Sequence, residues 1–357
     1  MTTRDEYKNL VLSSKSYKDL FNKSAEKANF NLYKNIVTVW HPDKFVYRDK
    51  ELIDLAEEIT KKLNKFYSEY KRTLNITSES IYKERIWISS DNREMKLKYF
   101  RKRDFELGKI YVGKSFVVYE LFNKFDKYFD NYESIVSKRL IFKDNKMKEE
   151  MSKYLPGILN SPFSKVSFRK TKNDSNLIVI NKTEDVLNLK DVIDYYRDIK
   201  IDSRSICWMI SSMYNLVCYF QYLGLVHNGI SDDNYFISPK YHSGLILGGF
   251  WYSTDVDSKM IGCKKELFDI LPFKAKRDKV SNFKSDLESI KLLGRKLIGC
   301  VEKDNLSDIL LDWSNSTVMT NDAIEEYENW GKVLDRVFGE KRVFVPLSLT
   351  YKDIYLT

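Results

Sequence analysis

Only three histidines, His41, His227 and His242, and four cysteines, Cys207, Cys218, Cys263 and Cys300, occur in the 357 residues. A histidine-centred catalytic triad therefore has almost no material. No cysteine lies in a Cys-x-x-Cys pair, so neither a zinc ribbon nor a redox pair is supported. Cys207 and Cys218 fall in one apolar helical run and read as core thiols. Two of the histidines head segments rich in polar functional groups. In Trp40-His41-Pro42-Asp43-Lys44, Pro42 disfavours helix at His41, so an imidazole and a carboxylate are displayed on a short loop. In Leu225-Val226-His227-Asn228-Gly229-Ile230-Ser231-Asp232-Asp233-Asn234, two carboxylates and an amide follow the histidine closely.

The elements around the first loop follow from apolar spacing. Leu32, Ile36, Val37 and Trp40 recur at helical intervals before it, with Lys34 and Asn35 facing away. After it, Leu52, Leu55, Ala56, Ile59, Leu63, Phe66, Tyr67 and Tyr70 step by three and four. Glu57, Glu58, Lys61, Lys62 and Lys65 lie on the opposite face. Each helix needs the other to bury its stripe, which predicts an antiparallel hairpin within about residues 10–75.

This hairpin, with His41-Pro42-Asp43 at its tip and Asn64 with Phe66 or Tyr67 late in the second helix, resembles the J domain of DnaJ-type co-chaperones. The resemblance implies docking on the ATPase domain of a DnaK-type chaperone and stimulation of ATP hydrolysis. Asp43 would pair with a partner arginine, and His41 and Pro42 would hold the loop and touch the partner. The basic face of the preceding helix falls to Lys27, Lys34 and Lys44, fewer than is usual. No Gly/Phe-rich region and no cysteine-rich module follows. The remainder is left to supply a client or location function.

Further along, Gly108–Val112 and Phe116–Tyr119 read as strand, tight turn and strand. Ile135-Val136-Ser137-Lys138 reads as another strand, and a charged helical segment follows with Glu149 and Glu150. Leu177–Ile180 is a short apolar strand, and Ile206–Leu225 a long, largely apolar helix. The His227 segment resembles the catalytic loop of protein kinases, His-Arg-Asp-Leu-x-x-x-Asn followed by apolar residues. Leu245-Ile246-Leu247-Gly248-Gly249-Phe250-Trp251 resembles the strand and Asp-Phe-Gly turn. Ser285–Ile290 resembles the start of the buried helix of the C-lobe, and Ile135–Lys138 the Val-Ala-Ile-Lys strand.

The departures from the kinase pattern bear on activity. The base position is Gly229 and the metal-ligand position Gly249, with Trp251 in place of the final glycine. The glycine-rich turn keeps Gly113 but has Phe116 and Val117 where backbone would approach phosphates. Phosphoryl transfer depends on positioning and charge neutralisation, so loss of both carboxylates implies a pseudokinase with no catalytic residues and no metal. Two alternatives stay open. Asp232 or Asp233 replaces a lost carboxylate; or Lys138, Glu149, Glu150, Asn234 and Gly113 hold ATP without metal, against Lys138 being a strand lysine in an ion pair. No other cofactor is implied.

Hydrophobic residues make up 43% of the chain and Gly and Pro are few, which predicts a globular α+β protein. The expected layout is an all-α J-domain-like module (10–75), a polar connector (76–104) and a two-lobed kinase-like domain (105–357). Its N-lobe would cover about 105–182 and its C-lobe about 183–357. The net charge of +9 is dispersed. The one basic run, Lys96–Arg103, reads as solvated connector or as a contact for an acidic partner; nucleic acid binding is not expected. No signal-peptide pattern or membrane-spanning run is present, so a reducing cytoplasm is expected. The two-part layout resembles J-domain plus kinase-like proteins encoded by bacteriophages, which implies a host cytoplasm. The expected function is a non-enzymatic co-chaperone or adaptor whose J module recruits and stimulates a DnaK-type ATPase while the kinase-like module binds a client protein. The alternatives are a divergent active kinase regulated by a chaperone, and a decoy that sequesters the host chaperone.

Overall fold

The structure, a computed structural model, describes all residues except 1–2, 22–25, 46–48, 77–81, 91, 139–165, 173–174, 272, 340 and 357. The chain divides into two compact units, Met1–Tyr82 together with Leu356–Thr357, and Lys83–Tyr355.

The first unit contains helices α1 (Thr3–Ser13), α2 (Tyr17–Leu20), α3 (Glu26–Trp40) and α4 (Lys50–Ile76), with a 3-10 turn, Pro42–Phe45, between the last two. Thr60 Oγ1 donates to the Trp40 carbonyl, Tyr33 Oη to Asn64 Oδ1, and Asn29 Nδ2 to Tyr70 Oη. As one partner number falls the other rises, so α3 and α4 run antiparallel, as the spacing predicts. Ile36, Trp40, Ala56, Ile59, Leu63, Phe66 and Tyr70 form the seam. Val11, Leu20 and Phe21 add α1 and the α2 end to the same core. Helix is thus present well before residue 10. Glu57, Glu58, Lys61 and Lys65 are exposed, whereas the Lys62 ammonium turns back to the Leu12 carbonyl at 2.7 Å.

The second unit begins with a six-stranded antiparallel sheet in the order β1-β2-β3-β4-β6-β5, built from Lys83–Ile88, Glu94–Phe105, Gly108–Gly113, Phe116–Phe122, Ser175–Asn181 and Val166–Lys170 respectively. The expected connector over 76–104 is therefore wrong for 83–104, which are the first two strands of this sheet. The basic run Lys96–Arg103 is the middle of β2, where outward lysines alternate with inward residues up to Tyr99. A register shift between Tyr99 and Arg101 then breaks the alternation. Beyond β1, Ser89 bridges Thr171, and Lys172 N–H donates to the Ile88 carbonyl, so the two outer strands meet at one end and the sheet curls. Cross-strand rows show the two faces. Tyr111, Val118 and Val179 form one row and pack with Trp87, Tyr99 and Phe116; Ile110, Tyr119 and Ile178 form the other.

Helix α5 (Asp126–Lys138) follows β4. Phe129, Tyr132, Ile135 and Val136 are its buried residues, and their spacing is helical. Ile135–Lys138, expected as a strand, is the last turn of this helix. Three apolar or small residues before a lysine suit either period when read alone.

The rest is mainly helical: α6 (Leu189–Ile199), α7 (Ser203–Tyr222), α8 (Lys265–Ile270), α9 (Phe273–Asp278), α10 (Phe283–Ile298), α11 (Asn305–Asn315), α12 (Ala323–Phe338) and α13 (Tyr351–Tyr355). Helix α7 is buried along most of its length, with Asp202 capping its start by accepting from Arg204 N–H. Short strands β7 (Leu187–Asn188), β9 (Tyr235–Ser238) and β10 (Ser243–Ile246) form one ladder, and β8 (Leu225–Val226) pairs with β11 (Thr254–Asp255). No helix among the described residues is long and apolar enough to cross a membrane.

Candidate functional site

Two places gather the residues singled out from the sequence, one in each unit.

In the first unit, the turn after α3 is tight. Lys44 N–H donates to the His41 carbonyl at 3.0 Å, and Asp43 N–H to His41 Nδ1 at 3.3 Å. The imidazole also stands 3.5 Å from the Asp43 carboxylate, whose side chain is 85% exposed. Trp40 and Phe45, on either side, are buried and stack with centroids 5.6 Å apart. The loop is thus nailed down at both ends and offers His41, Pro42, Asp43 and Lys44 outward. Lys34 is half-buried, and the Lys27 side chain lies outside the described residues.

In the second unit, the His227 segment links β8 to β9 and is held from below by α10. Asp286 is fully buried and accepts from His227 N–H at 2.7 Å and Asn228 N–H at 2.8 Å. Burial pushes its carboxyl up to about 7, opposed by those two bonds, which favour the charged form. Asn228 adopts a left-handed conformation and ties the loop to Tyr252 and Ser281 through its amide. The His227 ring is packed between Phe220 and Phe250 and held neutral, its pKa lowered by burial to about 3. It is a packed residue and no base.

Asn234, a candidate nucleotide ligand, spends its amide on the loop: Nδ2 donates to the Gly229 carbonyl at 2.8 Å and Oδ1 accepts from Ser231 N–H at 2.9 Å. Asp233 pairs with Lys264 at 2.7 Å, and Asp232 with Lys296 at 3.2 Å and Lys190 at 3.5 Å. Both carboxylates are engaged by lysines. Gly249 sits at φ +89°, and a Cβ there would strike the Asn234 amide. A side chain on Gly229 would meet the Tyr252 ring instead, at 3.0 Å.

Among the described residues, aromatic side chains crowd the space above this loop. Tyr119 of β4 is fully buried; its hydroxyl donates to the Leu247 carbonyl at 2.5 Å and lies 3.4 Å from that of Asp233. Its ring meets Trp251 at 5.3 Å and Phe105 at 5.9 Å, and Tyr132 of α5 stacks on Trp251 at 5.9 Å. Asn131 of α5 lies against the carbonyls of Phe250, Trp251 and Ser253, clasping the glycine turn. Gly113, expected in a phosphate-approaching turn, ends β3 at the other side, packed on the Phe116 ring and next to a turn that bonds Lys182. The turn that does reach the loop is Glu106-Leu107. The Glu106 carboxylate accepts from Tyr252 Oη at 2.8 Å and Lys265 N–H at 3.0 Å. Lys138, at the end of α5, is on a helix and not on a sheet strand, and its side chain, like Glu149 and Glu150, lies outside the described residues.

A buried polar cluster closes the opposite flank. Arg103 Nη1 donates to Asp191 Oδ1 at 2.7 Å, and its Nη2 to Asn188 Oδ1. Tyr355 Oη donates to Asp191 Oδ2 at 2.7 Å, and Asn188 Nδ2 to the Asp233 carbonyl at 2.9 Å. Phe100 of β2 stacks on Tyr355 at 4.9 Å. Sheet, helix α6, loop and C-terminal helix are thereby tied together. Sequence reasoning missed Arg103, Tyr119, Asp191 and Tyr355. An arginine in a basic run carries no signal of a partner 88 residues away.

Among the described residues no three His, Cys, Asp or Glu side chains are grouped to hold a metal ion. Cavities of about 370 and 310 Å³ lie elsewhere, beside Asp304 and Phe338 and beside Lys291 and Met319.

The class these observations define is an α+β protein with a helical module and a sheet-plus-helices body. Among solved structures the chain is similar to the kinase domain of a rhoptry antigen of Toxoplasma gondii. The likeness has 12% identity, covers 76% of this chain and 92% of that chain, and has a TM-score of 0.40. No family model and no curated protein matches the sequence.

Proposed function

We propose that the protein is a non-enzymatic co-chaperone or adaptor. The helical module recruits and stimulates a DnaK-type ATPase through His41-Pro42-Asp43, and a pseudokinase body binds a client protein. The observation that carries the first half is the exposed Asp43 on a loop whose flanking aromatics are buried. A charge displayed on a rigid turn, with His41 its one ion-pair partner among the described residues, suits a charge-assisted contact with another protein.

The aromatic packing around the glycine turn supports the second half. In protein kinases the nucleotide lysine lies on the strand before the helix that carries its glutamate partner. On the kinase reading that strand would be β4, whose Tyr119 is directed at the glycine turn, and the helix would be α5, which offers Asn131 and Tyr132. Among the described residues neither element directs a lysine or a carboxylate at the glycine turn, and aromatic rings crowd it instead. This argues against the divergent-kinase alternative.

The test is a DnaK-type ATPase assay with the full chain and its Asp43→Asn variant. Wild type should raise hydrolysis and the variant should not, with unchanged helical circular dichroism. Equal stimulation by both would end the co-chaperone reading. Binding without stimulation would favour the decoy.

A further inference from the structure

Helix α1 brings one residue to the exposed turn that the spacing of apolar residues does not reveal. The Arg4 guanidinium carbon lies 4.6 Å from the centroid of Trp40 and 4.6 Å from that of Phe45. Trp40 Nε1–H donates to the Arg4 carbonyl at 3.1 Å. Trp40 immediately precedes His41-Pro42-Asp43, and Phe45 comes two residues after it. One residue thus grips both stems of the loop, by its main chain and by its cation.

Among the described residues the guanidinium makes no ion pair, and its buried Nη2 has no hydrogen-bond partner. Burying such a donor is costly unless the two ring faces repay it, and cation–π attraction strengthens on desolvation. The arrangement therefore favours the stacked, closed pair of rings over any opening of the turn. Trp40 and Phe45 are held on the core side, and the four residues between them have little freedom left.

We infer that Arg4 is a positioning residue for the chaperone-docking turn, holding His41-Pro42-Asp43 in one outward conformation through Trp40 and Phe45. The inference rests on the co-chaperone reading for its consequence, but not for its structural half. Loss of the cation loosens the turn without unfolding the hairpin, whose seam keeps Ile36, Ala56, Ile59, Leu63, Phe66 and Tyr70 beside Trp40. A looser turn binds through a smaller competent fraction, so the effect falls on apparent affinity and not on the stimulated rate.

The test uses the full chain with Arg4→Met, Arg4→Lys and Asp43→Asn. Amide hydrogen exchange at His41, Asp43 and Lys44 should quicken about tenfold in Arg4→Met, with the middle of α3 and α4 unchanged. With a DnaK-type ATPase, the protein concentration for half-maximal stimulation should rise about five- to tenfold at unchanged maximal rate. Arg4→Lys should recover most of both. Unchanged exchange in the turn overturns the inference. So does an unchanged half-maximal concentration while Asp43→Asn abolishes stimulation. Faster exchange combined with no stimulation even by wild type overturns the co-chaperone reading alone and supports the positioning of the turn.

Discussion

Replacing Arg103 by methionine removes the guanidinium nearest Asp191 among the described residues and leaves a carboxylate that is 4% exposed. Stranding a buried charge costs roughly 3–5 kcal/mol, because the remaining partner keeps its desolvation penalty. Two groups soften the loss. Tyr355 Oη still donates to Oδ2, and Arg101, itself half-exposed, stands 4.0 Å from Oδ1. The lower end, about 3 kcal/mol at neutral pH, is therefore expected. The pH dependence has a definite sign. Burial already raises the Asp191 pKa despite Arg103, and without Arg103 it rises further. The folded variant then takes up a proton that the unfolded chain has released, so its deficit shrinks as pH falls toward the unfolded carboxylate value. Urea unfolding of wild type, Arg103→Met and the double variant Arg103→Met/Asp191→Asn at pH 5 and pH 7.5 reads all of this. The double variant should regain much of the loss, since no charge is left buried. A cost below about 1 kcal/mol for Arg103→Met, or one that does not change with pH, would refute the claim that this pair clamps sheet to helix α6.

Gly249→Asp should not restore a metal site. A residue other than glycine at φ +89° is strained by about 1–3 kcal/mol, and its Cβ collides with the Asn234 amide, so thermal denaturation should show a loss of several degrees and magnesium-dependent ATP binding should stay absent. Asp286→Asn should flatten the pH profile of stability. With its pKa raised to about 7, the folded wild type retains a proton between about pH 4 and 7 that the unfolded chain has lost, so stability falls there as pH rises, by at most about 1.4 kcal/mol per unit. A wild-type slope equal to that of Asp286→Asn would mean the carboxyl is ionised throughout.

The hairpin, strands β3, β4 and β6, helices α7 and α10, and the two loops that carry functional groups were all legible in the sequence. Each rests on a signal contained within a dozen or so neighbours: a 3.6 or 2.0 period, or a proline that ends a helix. The same reasoning failed where local signals mislead. Lys96–Arg103 looked like a solvated connector because one side of β2 is charged, and only pairing with β1 and β3 makes it a strand. Ile135–Lys138 looked like a strand because β-branched residues suit one, yet Tyr132 and Phe129, one and two turns earlier, commit it to helix α5. The chain order singled out Gly229 and Gly249, but not what packs around them. Tyr119, Arg103 with Asp191, Tyr355, and Arg4 over Trp40 and Phe45 act through partners tens to hundreds of residues away. Which side chain meets which at that distance is set by how strands and helices cross, and only the tertiary structure decides it.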